Sequence, residues 1–373
     1  MKSISISELL RKFRRYRRSI WRRLGMKFLD KQLFTPTQSL RERLRAPDAK
    51  LLFLFTAGKI GDCICTTFVF RELKKAFPNL EIHVLCSRNI VPVLDHVEFI
   101  DRVLSMKHPF RILEQALAAL RLRRFRYELV VARDGDPRTR ELLFFRLLGA
   151  KEYVGYASFD LKIYSRNFPS SGRNIRDLKS EILRFAGVED FSDEYDCPRD
   201  DVVKKEIAAF LEKEKIDRGK FVALNLFGNG ENRKISVENA LTLIRALQNR
   251  YAKESWKCLL LGSPKDDASV GLVLKKWRDS GEDCEFLNAL RPTTSIFQNI
   301  ELVAAAGLLI SPDTSIVHIG DALRHIPMIV FFVPHEKVEA LGRQSWMPHD
   351  RSTTKCVCYE DDVNEIDFSK LPL

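Results

Sequence analysis

Short apolar runs alternate along this chain with longer segments in which apolar residues recur at helical spacing. Apolar runs bounded by turn residues are typical of buried strands, and three- and four-residue spacing is typical of helices. The predicted strands are 51–55, 81–85, 99–106, 127–132, 149–156, 221–226, 256–261, 284–287, 307–310 and 326–333. The predicted helices include 63–77, 110–124, 176–186, 201–215, 295–305 and 316–323, with others ending at 148 and 250. This alternation predicts an α/β protein with parallel sheets.

The alternation is interrupted once, between residues 157 and 220. Residues 157–174 have no clean period and contain Pro169 and Gly172, whereas a second strand–helix series begins near residue 221. We therefore predict an N-terminal extension of residues 1–50, an N-terminal Rossmann-like domain of residues 51–200 and a C-terminal Rossmann-like domain of residues 201–373. A chain of 373 residues is long enough for two such domains.

The positive charge of the chain is concentrated at its N-terminus. The formal net charge is +12, and residues 1–50 hold 15 Lys or Arg and 4 Asp or Glu, which accounts for +11 of it. The remainder of the chain is therefore nearly neutral. This distribution disfavours a general nucleic-acid-binding surface on the folded body, and we expect no nucleic-acid partner.

The basic extension has the pattern of an amphipathic helix over residues 5–28. Its apolar positions recur at three- and four-residue steps, and arginines fill most of the remainder. Such a helix suits the surface of an anionic membrane, so we predict peripheral attachment to the inner face of the cytoplasmic membrane. A solvated helix packed on the body and a basic arm for RNA are the alternatives. No apolar run is long enough to span a bilayer, and no signal-peptide pattern is present.

The eight cysteines indicate reduced thiols. None lies in a Cys-x-x-Cys pair, and no histidine completes a zinc-binding spacing. Several cysteines stand inside apolar runs, where a thiol behaves as a small apolar side chain. We therefore expect a cytoplasmic protein with reduced thiols, and the cysteines predict no metal site.

A turn containing two glycines follows the first predicted strand. It reads Gly58-Lys59-Ile60-Gly61-Asp62, which is neither a G-x-G-x-x-G nor a Walker motif. Gly61 permits a tight turn, so that Asp62 projects over the strand ends. Asp62 is then either a general base that removes a proton from a hydroxyl or the N-cap of the next helix. Lys59 is a candidate for contacts to anionic groups, or is simply solvated.

The second predicted domain has two polar segments at strand ends. One is the loop 227–234, and the other is Ser311-Pro312-Asp313-Thr314-Ser315-Ile316-Val317-His318. Helix N-termini at the carboxyl ends of parallel strands bind anions through free N–H groups. The alternative is that Asp313 and Thr314 only cap the helix and that His318 is a partly buried helix residue.

A further charged loop follows the predicted strand 127–132. Arg133 and Arg138 lie in it, and their forked guanidinium groups are suited to carboxylates or phosphates. The alternative is an ordinary solvated loop.

Two motifs carry a resemblance to a known family. The turn 58–62, with the helix and strand that follow to residue 85, and Asp313-Thr314-Ser315-x-x-His318 with Pro327 and Pro334 resemble signatures of the ADP-heptose:lipopolysaccharide heptosyltransferases, glycosyltransferase family 9. That family usually has Gly where this chain has Ser315. The resemblance covers most of residues 51–335. It implies a GT-B fold, in which two Rossmann-like domains face each other across a cleft.

The resemblance also implies a reaction. This is an inverting, metal-independent transfer of heptose from ADP-heptose to the lipopolysaccharide inner core, with Kdo or heptose as acceptor. Asp62 would deprotonate the acceptor and Lys234 would stabilise the departing ADP. The implied donor contacts are Asn229, Arg233, Lys234, Asp266, Asp313, Thr314, Ser315 and His318; the implied acceptor contacts are Lys59, Gly61, Arg133 and Arg138.

Two other functions stay open at the level of sequence. One is a GT-B enzyme that uses another nucleotide sugar, for glycosyl transfer or for epimerisation. The other is a non-catalytic membrane- or RNA-binding protein with a basic arm.

Overall fold

The computed structural model describes residues 26–32, 37–55, 59–169, 172–293, 295–340 and 345–373. Most of the predicted amphipathic helix at residues 5–28, and Gly58, lie outside the described residues. Contacts divide the chain into two units, which are described separately. The first comprises Met1–Gly58, Val69–Ser171 and Asp177–Ser192, and the second Lys59–Phe68, Gly172–Arg176 and Asp193–Leu373. The domain boundaries at residues 50 and 200 stay predictions.

Each unit contains one six-stranded parallel sheet. The strands are β1 (Lys50–Phe55), β2 (Glu81–Ser87), β3 (Arg102–Met106), β4 (Leu129–Asp134), β5 (Glu152–Tyr156), β6 (Arg166–Asn167), β7 (Phe221–Asn225), β8 (Lys257–Leu261), β9 (Leu287–Ala289), β10 (Leu308–Pro312), β11 (Met328–Phe332) and β12 (Thr354–Cys358). The strand order is β3-β2-β1-β4-β5-β6 in the first unit and β12-β11-β10-β7-β8-β9 in the second. Both sheets therefore have the doubly wound order, which reverses once beside the first strand.

Helices connect these strands. They are α1 (Leu40–Leu44), α2 (Ile60–Ile64), α3 (Thr67–Ala76), α4 (Val91–Leu94), α5 (Ile112–Leu122), α6 (Thr139–Leu148), α7 (Ile175–Phe185), α8 (Asp201–Lys213), α9 (Val237–Tyr251), α10 (Asp267–Asp279), α11 (Ile296–Ala305), α12 (Ser315–Leu323) and α13 (His335–Ala340). The central strands are buried along almost their whole length, because helices cover both faces of a parallel sheet. The predicted α/β class is confirmed.

The predicted helix 63–77 is wrong, because two helices occupy this stretch. α2 begins already at Ile60, and α3 begins at Thr67. Two hydroxyls mark the break: Thr66 Oγ1 donates to the Asp62 carbonyl at 2.7 Å, and Thr67 Oγ1 donates to the Ile64 carbonyl at 2.8 Å. Such side-chain bonds compete with the helical backbone pattern.

Three strands also begin later than predicted. The predicted strand 284–287 begins only at Leu287, the predicted strand 99–106 at Arg102 and the predicted strand 149–156 at Glu152. The two-residue edge strand β6 lies in the stretch where no period was found. Within the described ranges, no helix is both long enough and apolar enough to cross a bilayer.

Candidate functional site

The sheet of the second unit reverses its order between β7 and β10, and polar groups join the carboxyl ends of these two strands. Asn225 ends β7, and its Nδ2 donates to Ser311 Oγ at 3.0 Å and to Thr314 Oγ1 at 3.2 Å. Its Oδ1 accepts the Phe227 N–H at 3.1 Å. Ligands of doubly wound proteins bind at this kind of reversal point. Asn225 therefore links the carboxyl ends of β7 and β10 at the candidate site.

An ion pair lies across the same reversal point. Arg233 Nη1, from the loop after β7, is 2.8 Å from Asp313 Oδ2, directly after β10. The loop folds back tightly, since a Cβ at Gly228 would collide with the Cβ and carbonyl oxygen of Arg233. The Arg233 side chain is 36% exposed to solvent, whereas that of Asp313 is 14% exposed. A guanidinium with exposed surface is thus held over the strand ends, where an anionic ligand can reach it.

The helix α12 begins at this point with its N-terminal N–H groups. Thr314 is its N-cap and accepts the Ile316 N–H at 3.1 Å, so Thr314 rather than Asp313 caps the helix. Ser315 is the first helical residue, where amide groups lack partners within the helix and the helix dipole is positive. This end of α12 is suited to a phosphate group.

Gly61 brings α2 against α12. A Cβ at position 61 would lie 2.9 Å from His318 Cδ2 and 3.7 Å from Ser315 Cα. Only a residue without a side chain permits this approach without movement of His318. The contact places the helix that carries Asp62 beside the first turns of α12, although the two helices are far apart in sequence.

Asp62 lies in the first turn of α2 and is half-buried. The N-cap position belongs to Lys59, and Asp62 Oδ2 accepts the Lys59 N–H at 3.2 Å. The prediction that Asp62 is the N-cap is therefore wrong, because the Asp62 carboxylate lies within the first turn and accepts the backbone N–H of the N-cap residue. Lys59 itself is exposed.

His318 is buried under α2. Its Nδ1 has no hydrogen-bond partner among the described residues, and its ring centroid lies 5.8 Å from that of Trp346. Burial lowers the pKa of His318, although the carboxylates of Asp313 and Asp321 act in the opposite direction. The imidazole is therefore neutral near pH 7.

Of three further predicted donor residues, two make local contacts and one is exposed. Lys234 Nζ is 2.6 Å from Glu231 Oε1, in an exposed pair. Asp266 precedes α10 and accepts hydrogen bonds from the hydroxyl and the N–H of Ser263. Asn229 is exposed. Among the residues that the structure describes, these three have no hydrogen bond to the segment around Asp313.

The two predicted acceptor arginines belong to the first unit and differ from each other. Arg133 donates to Glu141 at 3.0 and 3.1 Å and to the carbonyls of Asp134 and Asp136, both at 2.8 Å. Arg138 is exposed and precedes α6, and its N–H donates to Glu141 at 2.9 Å. The Arg133 side chain therefore already has partners in its own loop and in α6, whereas that of Arg138 reaches the surface.

Sequence reasoning missed Asn225 and Trp346. Asn225 had a signal, since it is the polar residue that ends an otherwise apolar strand. Trp346 had none, because nothing in the C-terminal sequence indicates that it packs against His318. No group of three or more His, Cys, Asp or Glu residues within the described part of the chain is arranged to hold a metal ion.

Solved structures share this architecture. A glycosyl transferase of family 9 from Veillonella parvula has a TM-score of 0.67 and 14% identity, over 85% of this chain and 89% of that one. The E. coli ADP-heptose LPS heptosyltransferase II has a TM-score of 0.62 and 15% identity, over 83% and 90%. A UDP-GlcNAc 2-epimerase from Methanocaldococcus jannaschii has a TM-score of 0.51 and 12% identity, over 86% and 93%.

The chain has the GT-B fold. This confirms the fold predicted from the two motifs, and the structural neighbours include the family that those motifs resemble. No family sequence model matches the chain, and no curated protein sequence matches it significantly. At these low identities the likeness establishes the GT-B fold, while chemistry has to be argued from the site.

We expect Gly61→Ala to destabilise the second unit by about 1–3 kcal/mol, because the new methyl group forces His318 to move. The matched control is Gly271→Ala in α10, where the Cβ would meet only the flexible end of Arg291, at 2.9 Å. Chemical denaturation of both variants measures the difference. A double-mutant cycle of Gly61→Ala with His318→Ala should show coupling, and strictly additive effects would contradict the proposed contact.

Proposed function

We propose that this chain is an inverting glycosyltransferase that moves heptose from ADP-heptose to the inner core of lipopolysaccharide, with Kdo or heptose as acceptor. The observation that carries the proposal is the packing of Gly61 against His318 and Ser315. This packing puts a half-buried carboxylate, Asp62, beside a helix N-terminus suited to phosphate. A base next to a diphosphate site is what direct glycosyl transfer requires.

The proposed reaction is a single displacement at the anomeric carbon. The acceptor hydroxyl oxygen forms a bond to this carbon as the bond from the carbon to the β-phosphate oxygen of ADP breaks. Asp62 takes the hydroxyl proton, and the electron pair of the broken bond leaves with ADP. Attack from the face opposite the leaving group inverts the configuration. A positioned general base typically contributes about 10²–10⁴-fold to such a rate.

The departing ADP gains negative charge, which this chain's own groups are suited to stabilise. The N–H groups at the start of α12 and the guanidinium of Arg233 lie at the reversal point. Lys234 joins them by exchanging its exposed partner Glu231 for a phosphate. We therefore propose transfer without a metal ion. Asn229, Asp266 and the buried His318 complete the proposed donor-binding set.

On the acceptor side we propose Lys59 and Arg138 as the groups that bind Kdo carboxylates or core phosphates. Both are exposed cations, and Lys59 directly precedes the helix of Asp62. Arg133 would act by shaping its loop, because its guanidinium is bonded to Glu141. The amphipathic residues 5–28 would hold the enzyme on the anionic inner face of the cytoplasmic membrane, where the lipid-linked acceptor resides.

A donor panel tests this proposal. Purified full-length protein is incubated with labelled ADP-heptose, UDP-GlcNAc or a GDP-sugar, each with and without a Kdo-containing lipid A acceptor, in the presence of EDTA. We expect label to move to the acceptor only from ADP-heptose, with release of one ADP per transfer and inverted anomeric configuration. Calorimetric titration should show tighter binding of ADP than of UDP or GDP.

Three other results would contradict the proposal in distinguishable ways. Isomerisation of a nucleotide sugar without any acceptor would indicate an epimerase. Transfer from another nucleotide sugar would retain the reaction class and change the donor. Binding of RNA, without nucleotide binding or turnover, would indicate that the basic arm is the functional part.

A further inference from the structure

One helix of the first unit exposes an unusually apolar face. Five large apolar side chains on α5 and just before it are 49–76% exposed; they are Phe110, Ile112, Leu113, Leu117 and Leu120. Leu113, Leu117 and Leu120 follow the spacing that puts residues on one side of a helix. The opposite side of the same helix supplies the buried residues Gln115, Ala119 and Leu122. These five exposed residues are called the α5 face below.

Cations surround the α5 face. Residues 107–126 contain six Lys or Arg and one acidic residue; the basic ones are Lys107, Arg111, Arg121, Arg123, Arg124 and Arg126. All six are exposed. The single acidic residue, Glu114, accepts the His108 N–H at 2.8 Å and is thus already engaged. Apolar side chains within a cationic rim are the combination that binds an anionic lipid surface.

We propose that the α5 face is a membrane-docking surface that inserts its leucines and Phe110 between anionic phospholipid headgroups. This surface is distinct from residues 5–28 and independent of the transfer chemistry. Transfer of the apolar side chains out of water stabilises the bound state, and the basic residues around them are attracted to the anionic headgroups.

Charge argues against two other occupants. A second copy of the chain would bring the same cationic rim against itself in a symmetric contact. Residues 1–25 contain nine Lys or Arg and one Glu, so this segment is repelled as well. An anionic bilayer can bury the apolar side chains of the α5 face and attract the cations around it.

The α5 face and the end of the N-terminal extension belong to the same unit. Met26 and Leu29, at the start of the described chain, pack against the core cluster that contains Ala119 and Leu122 of α5. The basic extension therefore leaves the protein from the same unit that presents the α5 face. Two attachment elements on one unit would bind more tightly than either alone, since the second contact is intramolecular.

Hydrogen–deuterium exchange of the full chain tests the proposal without any substrate. Vesicles of phosphatidylglycerol and phosphatidylcholine should slow exchange in peptides covering residues 107–122, and vesicles of phosphatidylcholine alone should not. Unchanged exchange in these peptides while the protein is vesicle-bound through residues 5–28 would overturn the proposal. Protection that grows with protein concentration in the absence of lipid would also overturn the proposal, because it would indicate that a second copy of the chain covers the α5 face.

Substitution on the face gives an independent measurement. We expect Leu113→Glu combined with Leu117→Glu to weaken binding to anionic vesicles by about tenfold or more, because two carboxylates replace two inserted side chains. The matched control is Leu272→Glu, an exposed leucine on α10 of the second unit, 45% exposed. Its binding should equal that of the unsubstituted protein. Equal binding by the double variant, with circular dichroism confirming its fold, would overturn the proposal.

Discussion

Replacing Asp62 with Asn is expected to lower turnover by about 10²–10⁴-fold while the affinity for ADP stays within about twofold. The amide oxygen of Asn still accepts the Lys59 N–H, which Asp62 Oδ2 accepts at 3.2 Å, so the start of α2 is preserved. What the substitution removes is the ability to take up a proton. Turnover is measured by transfer of label to the acceptor, and ADP affinity by calorimetry.

Asp62→Ala is the companion variant that separates the two roles of this carboxylate. If Asp62 only capped α2, Ala would impair the protein through local disorder and Asn would restore activity. If Asp62 is the base, both variants lose at least about 10²–10⁴-fold in turnover and Asn does not restore it. Wild-type turnover by Asp62→Asn would contradict the proposed mechanism. A parallel loss of ADP binding in both variants would assign Asp62 to donor binding instead.

Much of the fold was predictable because parallel strands are buried on both faces. Runs such as Leu51–Phe55 and Phe221–Leu224 contain almost only apolar residues, and each coincides with a central strand. The failures occurred where side chains act on the backbone locally. Thr66 and Thr67 bond to carbonyls of the preceding turn and end α2, which no hydrophobic period reveals. The edge strand β6 is too short to have a period.

The candidate site was predictable in its parts but not in its arrangement. The position of Asp313 and Thr314 at the end of a strand follows from the apolar run before them. The ion pair of Asp313 with Arg233 does not, because it depends on which strands become neighbours. The same applies to Gly61, which was expected to permit a tight turn but lies within α2, where its missing side chain leaves room for His318.

Two adjacent cations of the loop after β7 have different partners, which the sequence does not indicate. Arg233 and Lys234 are adjacent cations in one loop, and the family resemblance implied Lys234 for the phosphate role with Arg233 in support. In the structure Arg233 lies across the reversal point, whereas Lys234 pairs with exposed Glu231. The difference arises from the turn at residues 228–233, which folds back on Gly228. Loop geometry of this kind depends on close contacts rather than on composition.

A buried charge network stabilises the second unit at the other end of α12. Asp321 is buried and accepts the His349 N–H at 3.1 Å and a hydrogen bond from His349 Nδ1 at 2.8 Å. Arg351 Nε lies 3.4 Å from the same carboxylate, and its Nη1 donates to Glu194 at 3.0 Å. Asp321 thereby fixes the C-terminal segment to α12.

Asp321→Ala is expected to destabilise the protein by about 3–5 kcal/mol, because it leaves His349 and Arg351 buried or half-buried without their shared partner. Urea denaturation at pH 7 measures the change. The control is Asp367→Ala, which removes an exposed carboxylate bonded to Ser369 and Lys370 and should change stability little. Equal effects of the two substitutions would show that the burial of Asp321 does not account for its contribution to the free energy of unfolding.

The contribution of Asp321 should also depend on pH in a defined direction. Burial opposes the charged carboxylate, but the hydrogen bonds from His349 and the nearby guanidinium of Arg351 outweigh it and hold the pKa of Asp321 below its usual value. A carboxyl that ionises more readily in the folded state stabilises the protein fully above its unfolded pKa, about 3.9, and loses this effect as pH falls through the folded pKa. The stability difference between the unsubstituted protein and Asp321→Ala should therefore narrow as the pH falls below about 4. A difference that widens on acidification would mean that the folded protein favours the protonated carboxyl, which is the opposite of what the His349 contacts require.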